Sequence, residues 1–113
     1  LLGDVRAHGR NTYALFNPMP DSGARSAFSE LRLVTNYTSR SLRLLAPCFA
    51  SGLGDSGVYG FSQNAVYYCP YGGKTFSAKY LTFQLTDFYC MLDGNRGVFA
   101  TGDAVIVMKL PTR

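Results

Sequence analysis

With 113 residues, 47 % of them hydrophobic and only 16 % charged, the chain is long enough to bury one core without a disulfide framework or metal to staple it. Its formal net charge of +4 comes from eleven scattered basic side chains against seven acidic ones. That argues against the clustered basic footprint of a nucleic-acid surface, leaving weak, non-specific contact at most. No apolar run approaches the ~20 residues of a membrane-spanning helix, and no signal peptide is evident.

Residues 1–113 therefore read as a single β domain, expected to be excised from a longer chain. In chain order, Asn11 to Phe16 is a first strand candidate, after the loop Ala7-His8-Gly9-Arg10. Asn17-Pro18-Met19-Pro20-Asp21-Ser22-Gly23 is a loop, because two prolines remove backbone donors and fix φ. Ser26 to Glu30 offers a helical turn before the pattern changes. Glu30-Leu31-Arg32-Leu33 and Ser41-Leu42-Arg43-Leu44 both alternate apolar with polar. The Thr/Asn/Ser-rich stretch between them makes a hairpin a better reading than a helix over 29–45.

Ala50 to Gly60 reads as a glycine-rich connection. Val58 to Phe61 and Ala65 to Cys69 are aromatic and β-branched, as strands are. Pro70-Tyr71-Gly72-Gly73-Lys74 is a turn, leading into Ala78 to Thr86, where Leu81, Phe83 and Leu85 alternate with Tyr80, Thr82, Gln84 and Thr86. Period-two alternation predicts a strand with one face on the core and the other toward water. Asp93-Gly94-Asn95-Arg96-Gly97 is a tight turn, and Val98 to Leu110 is apolar again. The fold expected is all-β: an antiparallel β-sandwich or jelly roll of seven or eight short strands.

Little in the chain suggests catalysis. General acid–base chemistry leans on histidine or tuned carboxylates, and His8, the single histidine, lies beside Gly9 in a polar loop. Three cysteines (Cys48, Cys69 and Cys90), with no Cys-x-x-Cys, point away from a structural zinc site. Cys69 and Cys90 follow aromatic strand-like runs and read as buried small hydrophobes, and one disulfide plus a free thiol is the alternative that the odd count allows. Gly52-Leu53-Gly54-Asp55-Ser56-Gly57 lacks the Gly-Lys-Ser/Thr ending of a phosphate loop. Asp93-Gly94-Asn95 lacks the spaced ligands of a calcium loop. Asn36-Tyr37-Thr38 matches a glycosylation triplet, which has meaning only in a secretory context. The expectation is no enzyme, no catalytic or metal residue and no cofactor.

Tyrosine is the residue type that stands out. Tyr59, Tyr67, Tyr68, Tyr71, Tyr80 and Tyr89 crowd one half of a chain without tryptophan, and tyrosine suits interfaces because it joins a rigid apolar ring to a polar tip. Adjacent Tyr67 and Tyr68 must point to opposite faces of a strand, so one of them is expected to face outward. The interface or ligand candidates are Tyr67, Tyr68, Tyr71, Tyr80, Thr82 and Gln84, forming a homodimer across a tyrosine-rich sheet face.

The layout, from Leu1-Leu2-Gly3 through Ser/Thr/Gly/Asn loops to Lys109-Leu110-Pro111-Thr112-Arg113, resembles the protruding domain of nodavirus and tombusvirus capsid proteins. That resemblance rests on architecture and transfers no residue. It implies a non-enzymatic module on the virion surface that dimerises and attaches to a host receptor or glycan. Locally, Ala78-Lys79-Tyr80-Leu81-Thr82-Phe83 and Asn95-Arg96-Gly97-Val98 look like the end of a small single-strand RNA-binding replicase protein of coronaviruses. This alternative implies a β-barrel in the host cytoplasm with a C-terminal helix, whereas Val105-Ile106-Val107 here prefers a strand. A third alternative is a secreted, extracellular carbohydrate- or protein-binding domain.

Overall fold

In the computed structural model, the described residues are 2–17, 27–36, 38–85, 89–100 and 104–112. They form three antiparallel sheets and no helix. The first holds β1 (Leu2–His8), β2 (Asn11–Phe16), β3 (Phe28–Val34) and β4 (Ser39–Cys48). The second holds β5 (Ala50–Leu53), β6 (Gly57–Phe61), β7 (Ala65–Pro70) and β8 (Ser77–Tyr80). The third holds β9 (Tyr89–Asp93), β10 (Arg96–Ala100) and β11 (Val105–Lys109). All described pairings join sequence neighbours, giving meanders without the Greek-key crossings of a jelly roll.

The all-β class and the antiparallel pairing agree with the sequence reading, and the sheets are compatible with a β-sandwich. The described strands number eleven, more than the seven or eight expected. Three were missed: β1 absorbs the supposed loop residues Ala7 and His8, β5 lies in the supposed glycine-rich connection, and β9 precedes the Asp93 turn. The loop from Pro18 to Gly23, Ser26 of the suggested helical turn, Thr86, and the side chains of Tyr89 and Cys90 lie outside the described residues. From Phe28 onward the suggested helical turn is strand β3.

The β3–β4 hairpin forms where the two alternating runs placed it, with Leu31 opposite Leu42 and Arg32 opposite Ser41. Leu31, Leu33, Leu42 and Leu44 face inward and Arg32 and Arg43 outward, as period-two alternation requires. Asn36, beyond the end of β3, ties this hairpin to the β1–β2 hairpin. Its Oδ1 accepts from the Thr12 amide at 3.1 Å, and its Nδ2 donates to the Arg10 carbonyl at 3.5 Å. At the other hairpin signal, Asp93 and Arg96 are opposed and Gly94 has φ of +63°, a left-handed value that glycine adopts without a Cβ penalty. The Asp93 carboxylate and Arg96 guanidinium pair across that turn at 2.7 Å.

The middle strands of the second sheet, β6 and β7, are buried on both faces. Along β7, Ala65, Tyr67 and Cys69 enter one core with Leu15, Leu33, Leu42, Leu44 and Cys48 of the first sheet. The intervening Val66 and Tyr68 enter a separate core with Leu85, Phe99 and Leu110. Strand β6 divides likewise, Val58 to the first core and Tyr59 and Phe61 to the second. Phe61 and Phe99 meet edge to face at 5.2 Å, bringing the third sheet onto the second. Gly60 permits the other contact, since a Cβ there would lie 2.7 Å from Leu44 Cδ2 and 3.2 Å from Cys48 Sγ.

The edges facing β1 are closed by polar contacts. The β5 amide of Leu53 donates to Asp4 Oδ2 at 2.8 Å, and Arg6 pairs with Asp55. Cys48 and Cys69 are free thiols buried in the first core. Burial pushes the Cys48 thiol up to about 12, and it raises Cys69 against the opposing charge of Arg40.

Candidate functional site

The alternating run at Ala78–Thr86 is a strand only as far as Tyr80. Its partner β7 begins at Ala65, which stands opposite Tyr80, and beyond that pair the neighbouring chain has already turned. The following segment instead hangs on the turn itself: Leu81 N donates to Asn64 O at 2.8 Å and Leu85 N to Gln63 O at 2.6 Å. Leu85 is thereby buried in the second core, while Phe83 stays 38 % exposed. Loss of the ladder partner overrides the local alternation.

Of the tyrosine candidates, Tyr67 and Tyr68 are 2 % and 1 % exposed, so the expectation that one faces outward is overturned. The rule that adjacent strand residues face opposite ways holds, but here both faces are covered. The Tyr68 hydroxyl is satisfied by the Ser56 carbonyl and Oγ at 3.1 and 2.9 Å. Burial raises the Tyr67 hydroxyl pKa. Tyr71 is half-buried. It stacks on Tyr13 with centroids 4.3 Å apart, lies 4.7 Å from the His8 ring, and donates its hydroxyl to the Gly54 carbonyl at 2.7 Å. Burial, opposed by Arg6, pushes Tyr71 up to about 12.

Tyr80 is the candidate tyrosine left open, at 72 % exposure, with exposed Thr82 and Gln84 on the segment after it. Strand β8 is the outer strand of its sheet, and all four of its residues are exposed. Beside this segment lies a groove of about 220 Å³. Its lining is apolar at Ala46, Pro47 and Phe49, around the β4–β5 corner, and polar at Ser62, Gln63, Asn64 and Gln84.

The β6–β7 turn is closed by hydrogen bonds of Ser62. Ser62 is buried, its Oγ accepts from the Ala65 amide at 3.0 Å, and its backbone amide donates to the Ala65 carbonyl at 3.0 Å. Side-chain-to-backbone bonds of this kind fix tight turns. Ser62 Oγ also lies 3.2 Å from Asn64 Oδ1. Among the described residues, the carboxamides of Gln63 and Gln84 have no hydrogen-bond partner. Only Gln84 of this polar lining was singled out by sequence. Ser62-Gln63-Asn64, a polar triplet between two apolar runs, is the signal that could have found the rest.

A second groove, of about 320 Å³, runs between the Pro70–Ser77 connection and Thr112 and carries Lys74 on its lining. On the third sheet, Val105 and Val107 are also well exposed. Among the described residues, no three His, Cys, Asp or Glu side chains gather where a metal could sit, and no helix is long and apolar enough to cross a membrane. No family model matches the sequence, and neither a curated protein nor a solved structure is detectably similar to it.

Proposed function

We propose that this domain is a non-catalytic recognition module that pairs with a second copy of itself through Tyr80 and the segment that follows. The observation carrying the proposal is the exposure of Tyr80, 72 % open on an outer strand in a chain whose other described tyrosine rings on the second sheet are buried. A large exposed ring next to free strand-edge donors and acceptors suits a two-fold contact in which each patch meets its own copy. Lys79 limits this pairing, because a lysine on an outer strand discourages edge-to-edge association. An antiparallel register setting Ser77 against Tyr80 of the second copy places Lys79 opposite Ala78 and avoids like charges in direct opposition. The contact is therefore small and its affinity weak, in the class of transient interfaces.

The biological setting we propose is the surface of a virion, where a capsid protein's shell would hold two such domains together and leave them free to meet a host receptor. The single-strand RNA reading loses support from burial: Tyr67 cannot stack on a base, and Tyr71 already stacks on Tyr13. Sedimentation equilibrium over a concentration series tests the proposal. The wild-type chain should show concentration-dependent dimer that Tyr80→Arg abolishes without unfolding the domain. A strict monomer at millimolar concentration would overturn it.

A further inference from the structure

We infer that the groove between the β4–β5 corner and the β6–β7 turn is a binding site for a single neutral sugar ring. The inference rests on the recognition-module reading and shares Gln84 with the proposed self-contact, but it does not require that the domain dimerise.

The lining selects the chemistry. Its polar part is made of carboxamides and a hydroxyl, and it includes no ionisable side chain. An anion would find no cation to neutralise it, and a cation would find no carboxylate. A wholly apolar ligand would cover the Gln63 and Gln84 amides and leave them unpaired, which is costly. Each carboxamide offers two N–H donors and a carbonyl acceptor, and each sugar hydroxyl is itself both donor and acceptor. Vicinal hydroxyls of one ring can thus bond Gln63 from the turn and Gln84 from the segment bonded to that turn.

The apolar part of the lining, chiefly Pro47 with Ala46 and Phe49 beside it, is suited to the C–H face of the same ring, which packs without needing a polar partner. The volume, about 220 Å³, falls below the roughly 300–1,000 Å³ of sites that enclose drug-sized ligands. One ring fits, with further residues of a glycan extending into solvent. The Ser62 bonds fix the turn backbone before any ligand arrives, so the ordering cost on binding falls on the two glutamine side chains.

The test is a titration of the ¹⁵N-labelled domain with glucose, galactose, mannose and N-acetylglucosamine in turn, with sorbitol as an open-chain control. At least one ring sugar is expected to shift the 62–64 and 84 resonances saturably. Its dissociation constant should be on the order of 1 mM, as ligand efficiency implies for about a dozen heavy atoms. Gln63→Ala and Gln84→Ala should each weaken binding about tenfold, the effect of one lost hydrogen bond, with the remaining resonances unmoved. Tyr80→Arg should bind sugar at least as tightly as the wild type does, whereas a wild-type chain that stays a strict monomer and still takes sugar removes the dimer proposal and leaves this one standing. No response in those resonances to any of the four sugars at roughly a hundred times that concentration would overturn the inference. So would equal binding by both glutamine variants, or sorbitol binding as well as the rings do.

Discussion

Replacing Tyr68 by Ala should cost the domain about 4–6 kcal/mol, because the second face of the middle sheet is as dry as the first. The side chain is 1 % exposed, lies 5.0 Å from the Tyr59 ring and is bonded through its hydroxyl to Ser56. Truncating a buried aromatic costs about 3–5 kcal/mol through lost transfer energy and the cavity left behind. The hydroxyl's hydrogen bond adds about 1 kcal/mol. A chain of 113 residues has roughly 6–17 kcal/mol in total, at about 0.05–0.15 kcal/mol per residue. The loss is therefore a large fraction of the whole, and it should lower the unfolding temperature by at least ~15 °C. Tyr80→Ala, at an exposed position, should change stability by no more than about 0.5 kcal/mol. Urea denaturation of the two variants, followed by circular dichroism, measures both. A Tyr68→Ala loss under about 1.5 kcal/mol, the scale of an ordinary surface change plus one hydrogen bond, would mean that β9–β11 do not cover this face.

Alkali should unfold the protein through its buried tyrosines. Tyr59 and Tyr71 are raised to about 12, chiefly by burial, and Tyr67 is raised as well. A tyrosine of the unfolded chain ionises near 10, so this contribution is intact below about pH 10 and is lost progressively as pH climbs toward 12. Denaturant midpoints should fall across that window, with tyrosinate absorbance rising as the chain unfolds; a flat midpoint from pH 9 to 12 would contradict the burial. Cys48 and Cys69, held protonated in the core, should resist iodoacetamide at neutral pH, since the thiolate is the nucleophile. Peptide mapping should find both alkylated only after denaturation, and rapid native labelling of either would refute their placement.

Much of the fold was legible in local pattern. The Leu31/Leu33 and Leu42/Leu44 alternation gave the β3–β4 hairpin, Asp93-Gly94 gave the next turn, and Val105-Ile106-Val107 gave a strand. The misplaced tyrosines trace to one physical source, the assumption that every strand has a wet face. Val58 to Phe61 and Ala65 to Cys69 are continuous apolar runs, the mark of strands covered on both sides, and this is what removes Tyr67 and Tyr68 from the surface. Strand β5 escaped notice because Ala50-Ser51-Gly52-Leu53 is poor in strand formers; it is held by pairing with β6, a tertiary effect that propensity does not carry. The groove was legible only at Gln84. Its other residues come from a corner and a turn that sequence separates and the cores bring together.

Recognition through the Tyr80 edge is read out by amide hydrogen exchange of the wild-type domain at low and high protein concentration. Self-association there predicts slower exchange at high concentration in Ser77–Tyr80 and the segment to Gln84, with Tyr80→Arg restoring the dilute pattern. Unchanged exchange along β8, or new protection confined to β11 with its exposed Val105 and Val107, would contradict it.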